Sequence, residues 1–127
     1  MSTGMWLSLT YRDADAALQW LKDVGFTELQ VYRDDRDPGV VEHAELLWPG
    51  GGGVMLGTYR PRPEWPKEPG KGSAYLVTDD VDTVYAAALA AGGSSLQAPE
   101  DQDYGGRSAG VADPEGNLWS FGSYRPD

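Results

Sequence analysis

The sequence predicts an α+β fold in which two βαβββ repeats form a curved mixed sheet around a concave cavity, with the helices on the outside. The first observation behind this prediction is an internal repeat: residues 13–30 align with residues 80–97, and residues 57–61 align with residues 122–126 at nearly the same spacing. The second is that the same order of strand and helix patterns accompanies both copies. A chain of 127 residues has room for one domain made of two such copies.

The first repeat, residues 5–59, begins with a strand in which apolar and polar side chains alternate. A helix follows, with Asp13 as its N-cap and Gly25 as its C-cap, because an Asp side chain accepts from unpaired N–H groups and glycine tolerates the left-handed conformation at a helix end. The strands of this repeat are predicted at residues 5–11, 26–32, 40–48 and 54–59. The glycine run at residues 50–53 forms the turn between the last two strands.

The second repeat, residues 73–124, follows the same order, with Asp80 as the N-cap of a helix over residues 81–91. Its strands are predicted at residues 73–78, 94–98, 107–113 and 117–123. Between the repeats, residues 60–72 form a Pro-rich linker, which is too dense in proline for a regular element because proline lacks the backbone N–H. We therefore treat residues 1–127 as a single domain.

Composition excludes several classes of protein. The chain has 20 Asp+Glu against 10 Lys+Arg, and its net charge of −10 would repel a nucleic-acid backbone and favours cationic small molecules or basic partners. It has no cysteine and one histidine, His43, which excludes thiolate chemistry and sites with two imidazoles from one chain. There is no basic N-terminal region and no apolar stretch of membrane-spanning length, so we expect no signal peptide, no membrane partner and a cytoplasmic location.

Four strings in the sequence are similar to motifs of a known family. They are HAEL at residues 43–46, VMLG at 54–57, YGGR at 104–107 and DPEGNLW at 113–119. Together with the doubled βαβββ order, they make the chain resemble the vicinal oxygen chelate superfamily, which contains glyoxalases, ring-cleaving dioxygenases and bleomycin- and mitomycin-type resistance proteins. The resemblance implies a ligand cavity on the concave side of the sheet and a homodimer, which would also cover open sheet edges.

In metal-using members of this superfamily, the ligands are usually His or Glu on the first and fourth strands of each repeat. The strings and the repeat place those positions at Trp6, Met55, Ser73 and Ser120. An indole and a thioether do not bind hard or borderline divalent ions, and serine hydroxyls are poor ligands for Zn²⁺, Ni²⁺ or Fe²⁺. The sequence therefore predicts neither a metal nor another cofactor.

His43 and Glu45 lie two residues apart on one predicted strand and so share a face, which by the repeat is the concave face. Such a pair can supply two metal ligands, or a base with its orienting carboxylate. The simpler interpretation is a lone histidine that is hydrogen-bonded within the sheet. A hydrogen bond from either side chain to a ligand is compatible with both interpretations.

Aromatic side chains supply much of the remaining candidate site. Trp6, Tyr59 and Tyr75 fall on the concave side of their strands, and Trp65 lies in the Pro-rich linker. A Trp in such a loop either stacks on a ligand or pins the linker, and the sequence leaves both open. The candidate ligand-binding residues, with no catalytic or metal-binding residue among them, are Trp6, Ser8, His43, Glu45, Met55, Tyr59, Trp65, Ser73, Tyr75, Tyr104, Arg107 and Ser120.

Two functions follow from the resemblance. The first is a metal-free protein that binds and sequesters an antibiotic-like small molecule, planar aromatic or cationic, as in the resistance branch. The alternative is a lyase, epimerase or dioxygenase with a relocated metal or an acid–base site at His43 and Glu45. A structural or partner-binding module with a vestigial cavity is a third class. The expected partners are a small molecule and a second copy of the chain, with no nucleic acid.

Overall fold

The computed structural model of the chain describes residues 3–126. The predicted domain also includes residues 1, 2 and 127, and the expectation of no signal peptide concerns the N-terminus; these three residues lie outside the described range. The elements follow in the order β1 (Trp6–Tyr11), α1 (Ala14–Val24), β2 (Thr27–Arg33), β3 (Val41–Leu47), β4 (Gly53–Thr58), β5 (Ser73–Val77), α2 (Val81–Ala90), β6 (Ser94–Asp101), β7 (Arg107–Ala112) and β8 (Leu118–Gly122). This is the predicted βαβββ order, twice. No helix in the described range is long and apolar enough to span a membrane.

Each module forms a mixed sheet of four strands. The strand order is β1-β4-β3-β2 in the first sheet and β5-β8-β7-β6 in the second, and in both sheets the first pair is parallel and the others are antiparallel. The α+β fold with two βαβββ units is thus confirmed. The strands form two sheets rather than one continuous sheet, because among the described residues the modules join by side-chain packing and not by strand pairing.

Strand boundaries agree with the prediction or differ from it by one residue, except at the end of β6. The predicted strand ends at Ala98, whereas the structure continues it through Pro99 to Asp101. β6 is the edge strand of its sheet, and its pairing with β7 is irregular between Gln97 and Glu100. Proline is tolerated at such a place because no ladder hydrogen bond requires its N–H.

The two helices begin at equivalent residues but are capped differently. The Asp13 carboxylate accepts a hydrogen bond from the Ala16 N–H at 3.0 Å, and Gly25 ends α1 with a φ of 137°, as its predicted role as C-cap requires. Asp80 occupies the N-cap position of α2 but makes no side-chain capping bond, which corrects the expectation that it would. The helices also end differently, because α2 has Ala91 in a right-handed conformation at the position after its last turn, where α1 has Gly25.

The core lies between the helix-covered faces of the two sheets. Trp20 of α1 is buried against Trp119 of β8, with ring centroids 5.9 Å apart, and its indole N–H donates to the Ala88 carbonyl of α2 at 3.1 Å. Phe26, which belongs to the first module, also packs on Trp119, and their ring centroids are 5.8 Å apart. Because aromatic rings from both modules share this core, each module covers apolar surface that the other leaves open.

The string DPEGNLW forms a second connection between the modules. The buried Asp113 carboxylate accepts hydrogen bonds from the Tyr11 hydroxyl at 2.6 Å, from the indole of Trp119 at 3.1 Å and from three N–H groups of Glu115 and Asn117. Burial first, and then the charge of Asp113, raise the pKa of Tyr11 well above its ordinary value. This motif therefore fixes the β7–β8 turn to β1 rather than facing a ligand.

Candidate functional site

The first sheet has one face covered by α1 and one open face. Side chains alternate between the two, so that Leu9 and Leu56 are buried while their sequence neighbours turn to the open side. The open face presents Ser8 and Thr10 from β1, His43 and Glu45 from β3, and Met55 from β4. Ser8 and Met55 are directly opposite each other in the parallel β1–β4 register. The strands thus bring together four side chains that the sequence assigned to the site.

The Pro-rich linker passes over this open face, and linker and sheet together line a cavity of about 220 Å³ that is open on one side. Trp65 of the linker lines the cavity together with Ser8, His43 and Met55 of the sheet. Trp65 is 63% exposed, so most of its ring is available to a bound molecule. This arrangement favours the stacking interpretation of Trp65, because a ring that merely pinned the linker would be covered by the residues around it.

His43 and Glu45 form a hydrogen-bonded pair at the cavity. The His43 Nε2 atom lies 2.8 Å from a carboxylate oxygen of Glu45, and the His43 ring is stacked near Tyr32 of β2, with centroids 6.3 Å apart. The carboxylate fixes the orientation of the imidazole and leaves its Nδ1 atom for a ligand or a proton. The pair is chemically able to bind a polar group or to act as a base.

Basic side chains of the linker form one side of the cavity. Arg60 pairs with Glu42 at 2.8 Å and lies 3.7 Å from Asp34, which neutralises most of its charge. Lys67 is half-buried and donates to the Ser8 hydroxyl, and its pKa is lowered by this burial. Arg62 also lines the cavity, so the linker brings three cations to it.

Sequence reasoning missed these linker cations. The proline pattern predicts only that Arg60, Arg62 and Lys67 belong to an irregular connection. A signal was present, since residues 60–72 contain 4 of the 10 Lys+Arg residues and 2 of the 20 Asp+Glu residues. A basic segment in an acidic chain is informative because it is not needed for solubility.

Two further candidates of the first module lie beside the cavity. Trp6 shares the open face with Ser8, but its ring covers Gly53, leaves no room there for a Cβ atom, and is not part of the cavity lining. Tyr59 lies under the guanidinium of Arg12, 5.0 Å from the ring centroid, and lines an outer groove of about 280 Å³ along the linker. Both rings are close to the cavity without forming its wall.

The remaining candidates belong to the second module. Ser73, Tyr75 and Ser120 lie exposed on the open face of the second sheet, where Tyr75 stands opposite Ser120 in the register and donates through its hydroxyl to the Tyr124 carbonyl at 2.7 Å. Tyr104 packs edge-on against Tyr124, with centroids 5.6 Å apart. Within one chain, this group is separate from the cavity of the first sheet.

Arg107 lies on the other face of the second sheet. Its guanidinium pairs with Asp82 of α2 at 3.0 Å and with Asp101 of β6 at 3.2 Å. These carboxylates raise the pKa of Arg107 above its ordinary value, the hydrogen bonds to Asp82 being the largest cause. Its position on the helix-covered side points Arg107 toward α2 rather than toward Ser120.

The side chains at the superfamily's metal positions do not fit a divalent metal. Trp6, Met55, Ser73 and Ser120 provide an indole, a thioether and two hydroxyls, none of which is a good ligand for Zn²⁺, Ni²⁺ or Fe²⁺. Elsewhere in residues 3–126, no group of three or more His, Cys, Asp or Glu side chains is close enough to hold an ion. The donor set that a relocated metal would need is therefore not assembled by the described residues.

Two βαβββ modules, with a cavity on the open face of the first sheet, define a class of protein built by duplication of one structural unit. The sequence matches the glyoxalase/bleomycin resistance protein/dioxygenase superfamily over residues 5–121. The chain therefore belongs to this superfamily, which confirms the resemblance carried by the four strings.

Known structures agree with this assignment. TioX from Micromonospora sp. ML1 is 30% identical, with a TM-score of 0.77 over 98% of this chain and 100% of that one. A superfamily member from Sphaerobacter thermophilus DSM 20745 is 24% identical, with a TM-score of 0.69 over 96% and 97%, and supports the fold alone. Mb0911c from Mycobacterium bovis is 46% identical over 48 residues, or 38% of this chain and 32% of that protein. This last match is to a curated protein sequence and not to a structure, and the matched segment spans about a third of Mb0911c.

Proposed function

We propose that the protein is a metal-free binding protein that sequesters a planar aromatic, antibiotic-like small molecule. The observation that carries this proposal is Trp65, whose exposed ring is held over the open face of the first sheet at the mouth of a cavity. The cavity contains groups that bind and orient a ligand, Ser8 and His43 among them. Sequestration requires no turnover and therefore no further group.

The linker reduces the cost of holding Trp65 in place. Pro63 and Pro66 lie two residues before and one residue after it, and proline restricts the conformations of the unbound loop. A ring that is ordered before binding loses less entropy on binding. Stacking on such a ring contributes about 0.5–1.5 kcal/mol beyond the burial of area.

The support that the comparisons give to binding of an antibiotic-like molecule comes from the names of the superfamily and of one of its members. The superfamily includes bleomycin resistance proteins, and a solved structure from Streptomyces sp. CB03234, which is 24% identical with a TM-score of 0.64, is described as a glyoxalase/bleomycin resistance protein. The positions at which metal-using members hold their ion carry unsuitable side chains in this chain. The superfamily name covers enzymes as well as resistance proteins, so it is the side chains at the metal positions that favour binding over metal-dependent catalysis.

Tryptophan-fluorescence titration with a panel of planar aromatic and glycopeptide antibiotics tests the proposal. Trp65→Ala should weaken the binding of any panel ligand by about 1–3 kcal/mol if the ring is a central anchor. Trp6→Ala is the matched control, because Trp6 lies on the same face of the sheet but outside the cavity. Equal binding by wild type and Trp65→Ala would contradict the stacking role. Failure of every compound to bind wild type would contradict sequestration.

We also propose that a second copy of the chain completes the binding site. The cavity of about 220 Å³ is smaller than the roughly 300–1,000 Å³ of common small-molecule sites. The open face of the second sheet leaves Tyr75, Leu118 and Ser120 exposed, and a partner's second sheet could close the cavity of the first. Sedimentation velocity at micromolar concentration should give a dimer mass, and a monomer mass would reject this arrangement.

An enzymatic role has one specific observation in its favour, the hydrogen bond between His43 and Glu45. A histidine oriented by a carboxylate can remove a proton next to a carbonyl, as a lyase or an epimerase requires. Proton NMR in D₂O would detect exchange of acidic C–H groups in bound panel compounds. Exchange that His43→Gln abolishes would establish this role, whereas slow exchange unchanged in His43→Gln would reject it.

A further inference from the structure

The charge of the Pro-rich linker is opposite to that of the rest of the protein. Residues 60–72 carry 4 basic and 2 acidic residues, while the remainder of the chain carries 6 basic and 18 acidic residues. The net charge of −10 favours cationic ligands at long range. A ligand in the cavity is in contact with the linker, however, and the charge of the linker decides which ligand groups bind there.

The cavity holds cations whose charge is not neutralised by the described residues. Arg60 is paired with Glu42, but in residues 3–126 no carboxylate forms an ion pair with Arg62 or Lys67, both of which line the cavity. The Lys67 ammonium is half-buried and bonds to a neutral hydroxyl, that of Ser8. An ammonium that has lost part of its hydration to a neutral partner gains from a nearby anion.

Glu42 lines the cavity and Glu45 lies beside it on β3, and both carboxylates are hydrogen-bonded within the protein. Glu42 is bonded to Arg60 at 2.8 Å, and Glu45 is bonded to His43 at 2.8 Å. These contacts leave the two linker cations as the groups that discriminate between ligand charges. The apolar part of the lining, with Met55 and the Trp65 ring, would contact an aromatic group and not an inorganic ion.

We propose that the cavity selects a planar aromatic ligand that carries a negative charge, an aromatic acid, with its ring against Trp65 and its carboxylate or other oxyanion between Arg62 and Lys67. This inference rests on the proposed binding function and adds the chemical class of the ligand. It reverses the expectation from overall composition that a cationic ligand is favoured. The site uses a ring and two cations that only the linker brings together.

Isothermal titration calorimetry with three probes of one ring system tests the charge preference. The probes are 2-naphthoate, 2-naphthamide and 2-naphthylmethylammonium, which share a ring and differ in charge. Wild type should bind the carboxylate at least about tenfold more tightly than the amide, and the ammonium most weakly. The double variant Arg62→Gln/Lys67→Met should bind carboxylate and amide equally. Arg36→Gln, which removes a cation from an exposed loop outside the cavity, should leave the preference unchanged.

The outcomes separate this inference from the proposed function. Equal or tighter binding of the amide or the ammonium by wild type would overturn the charge preference and leave aromatic binding in place. A preference that survives in the double variant would overturn the assignment to Arg62 and Lys67. If none of the three naphthalene probes and none of the antibiotic panel binds, both the inference and the proposed function fail.

Discussion

The two modules share a strand register but differ in what lies over their open faces. Ser8 stands opposite Met55 in the first sheet, and Tyr75 stands opposite Ser120 in the second. The Pro-rich linker lies over the first pair and brings Trp65 to it, whereas the second pair lies on an exposed surface. Because the scaffold is the same, the difference shows that the linker supplies the second wall that turns an open sheet face into a cavity.

The modules also make unequal contacts with each other at equivalent places. Trp48 follows β3 and donates one hydrogen bond across to the Val77 carbonyl, at 2.9 Å. Asp113 follows β7 and accepts five hydrogen bonds, one of them from Tyr11 of the other module. The connection at Trp48 is a single hydrogen bond between neutral groups, and the connection at Asp113 is a buried carboxylate that accepts five hydrogen bonds. We expect them to contribute differently to stability.

The largest effect is expected from Asp113. Asp113→Ala should lower the free energy of unfolding by about 3–5 kcal/mol, because it leaves the buried donors of Tyr11, Asn117 and Trp119 without an acceptor. Urea denaturation followed by circular dichroism measures this. Asp113→Asn keeps the shape and gives a second measurement if the alanine variant does not fold. A loss below about 1 kcal/mol in both variants would show that the motif does not connect the modules.

The contact at the equivalent position of the first module should matter less. Trp48→Phe removes the bond to Val77 and opens a space beside Phe26, whose ring centroid lies 5.1 Å from that of Trp48. We expect a loss of about 2 kcal/mol in the same urea experiment. A loss as large as that of Asp113→Ala would remove the proposed inequality between the two connections.

Much of the fold could be predicted because the repeat duplicates its local signals. Even an irregularity is duplicated: the pairing shifts register between Glu28 and Gln30 in the first module and between Ser95 and Gln97 in the second. The matching Leu-Gln pairs in the sequence thus mark bulges at equivalent places, which leave the leucines exposed. Repetition revealed these positions, but alternation alone would have assigned both leucines to a regular strand.

The site was less predictable, for a physical reason. Strand parity placed Ser8, His43, Glu45 and Met55 on one face, since side chains alternate in any strand. A proline-dense loop has no periodic pattern, so the sequence does not predict where the loop lies relative to the sheets. Its position over the first sheet, and the contact of Lys67 with the cavity, follow only from the tertiary structure.

The contribution of Tyr11 to the connection at Asp113 should depend on pH, because its hydroxyl donates to the Asp113 carboxylate only while it is protonated. Tyr11→Phe should cost about 1.5 kcal/mol at pH 7, because one of five hydrogen bonds to Asp113 is lost. Burial raises the pKa of Tyr11 in the folded protein, so its contribution is complete below the unfolded value of about 10 and is lost as the pH rises above it. In urea denaturation between pH 7 and 11, the difference between wild type and Tyr11→Phe should narrow above pH 10 by up to about 1.4 kcal/mol per pH unit. A constant difference would contradict a neutral, buried Tyr11.

The smallest effect compares the first turns of the two helices. Asp13 accepts a hydrogen bond from Ala16 N–H, whereas Asp80 makes no such bond, although both stand at N-caps. Asp13→Ala should therefore cost about 1 kcal/mol, and Asp80→Ala only a few tenths, from the loss of a negative charge near the helix N-terminus. Asp13→Asn keeps a capping oxygen and loses only the charge, so it should cost a few tenths of a kcal/mol, and Asp80→Asn should cost about as little as Asp80→Ala. The four variants require paired urea titrations in one buffer. Equal losses in the two alanine variants would show that Asp80 caps α2 in solution, and would make the modules alike in this respect.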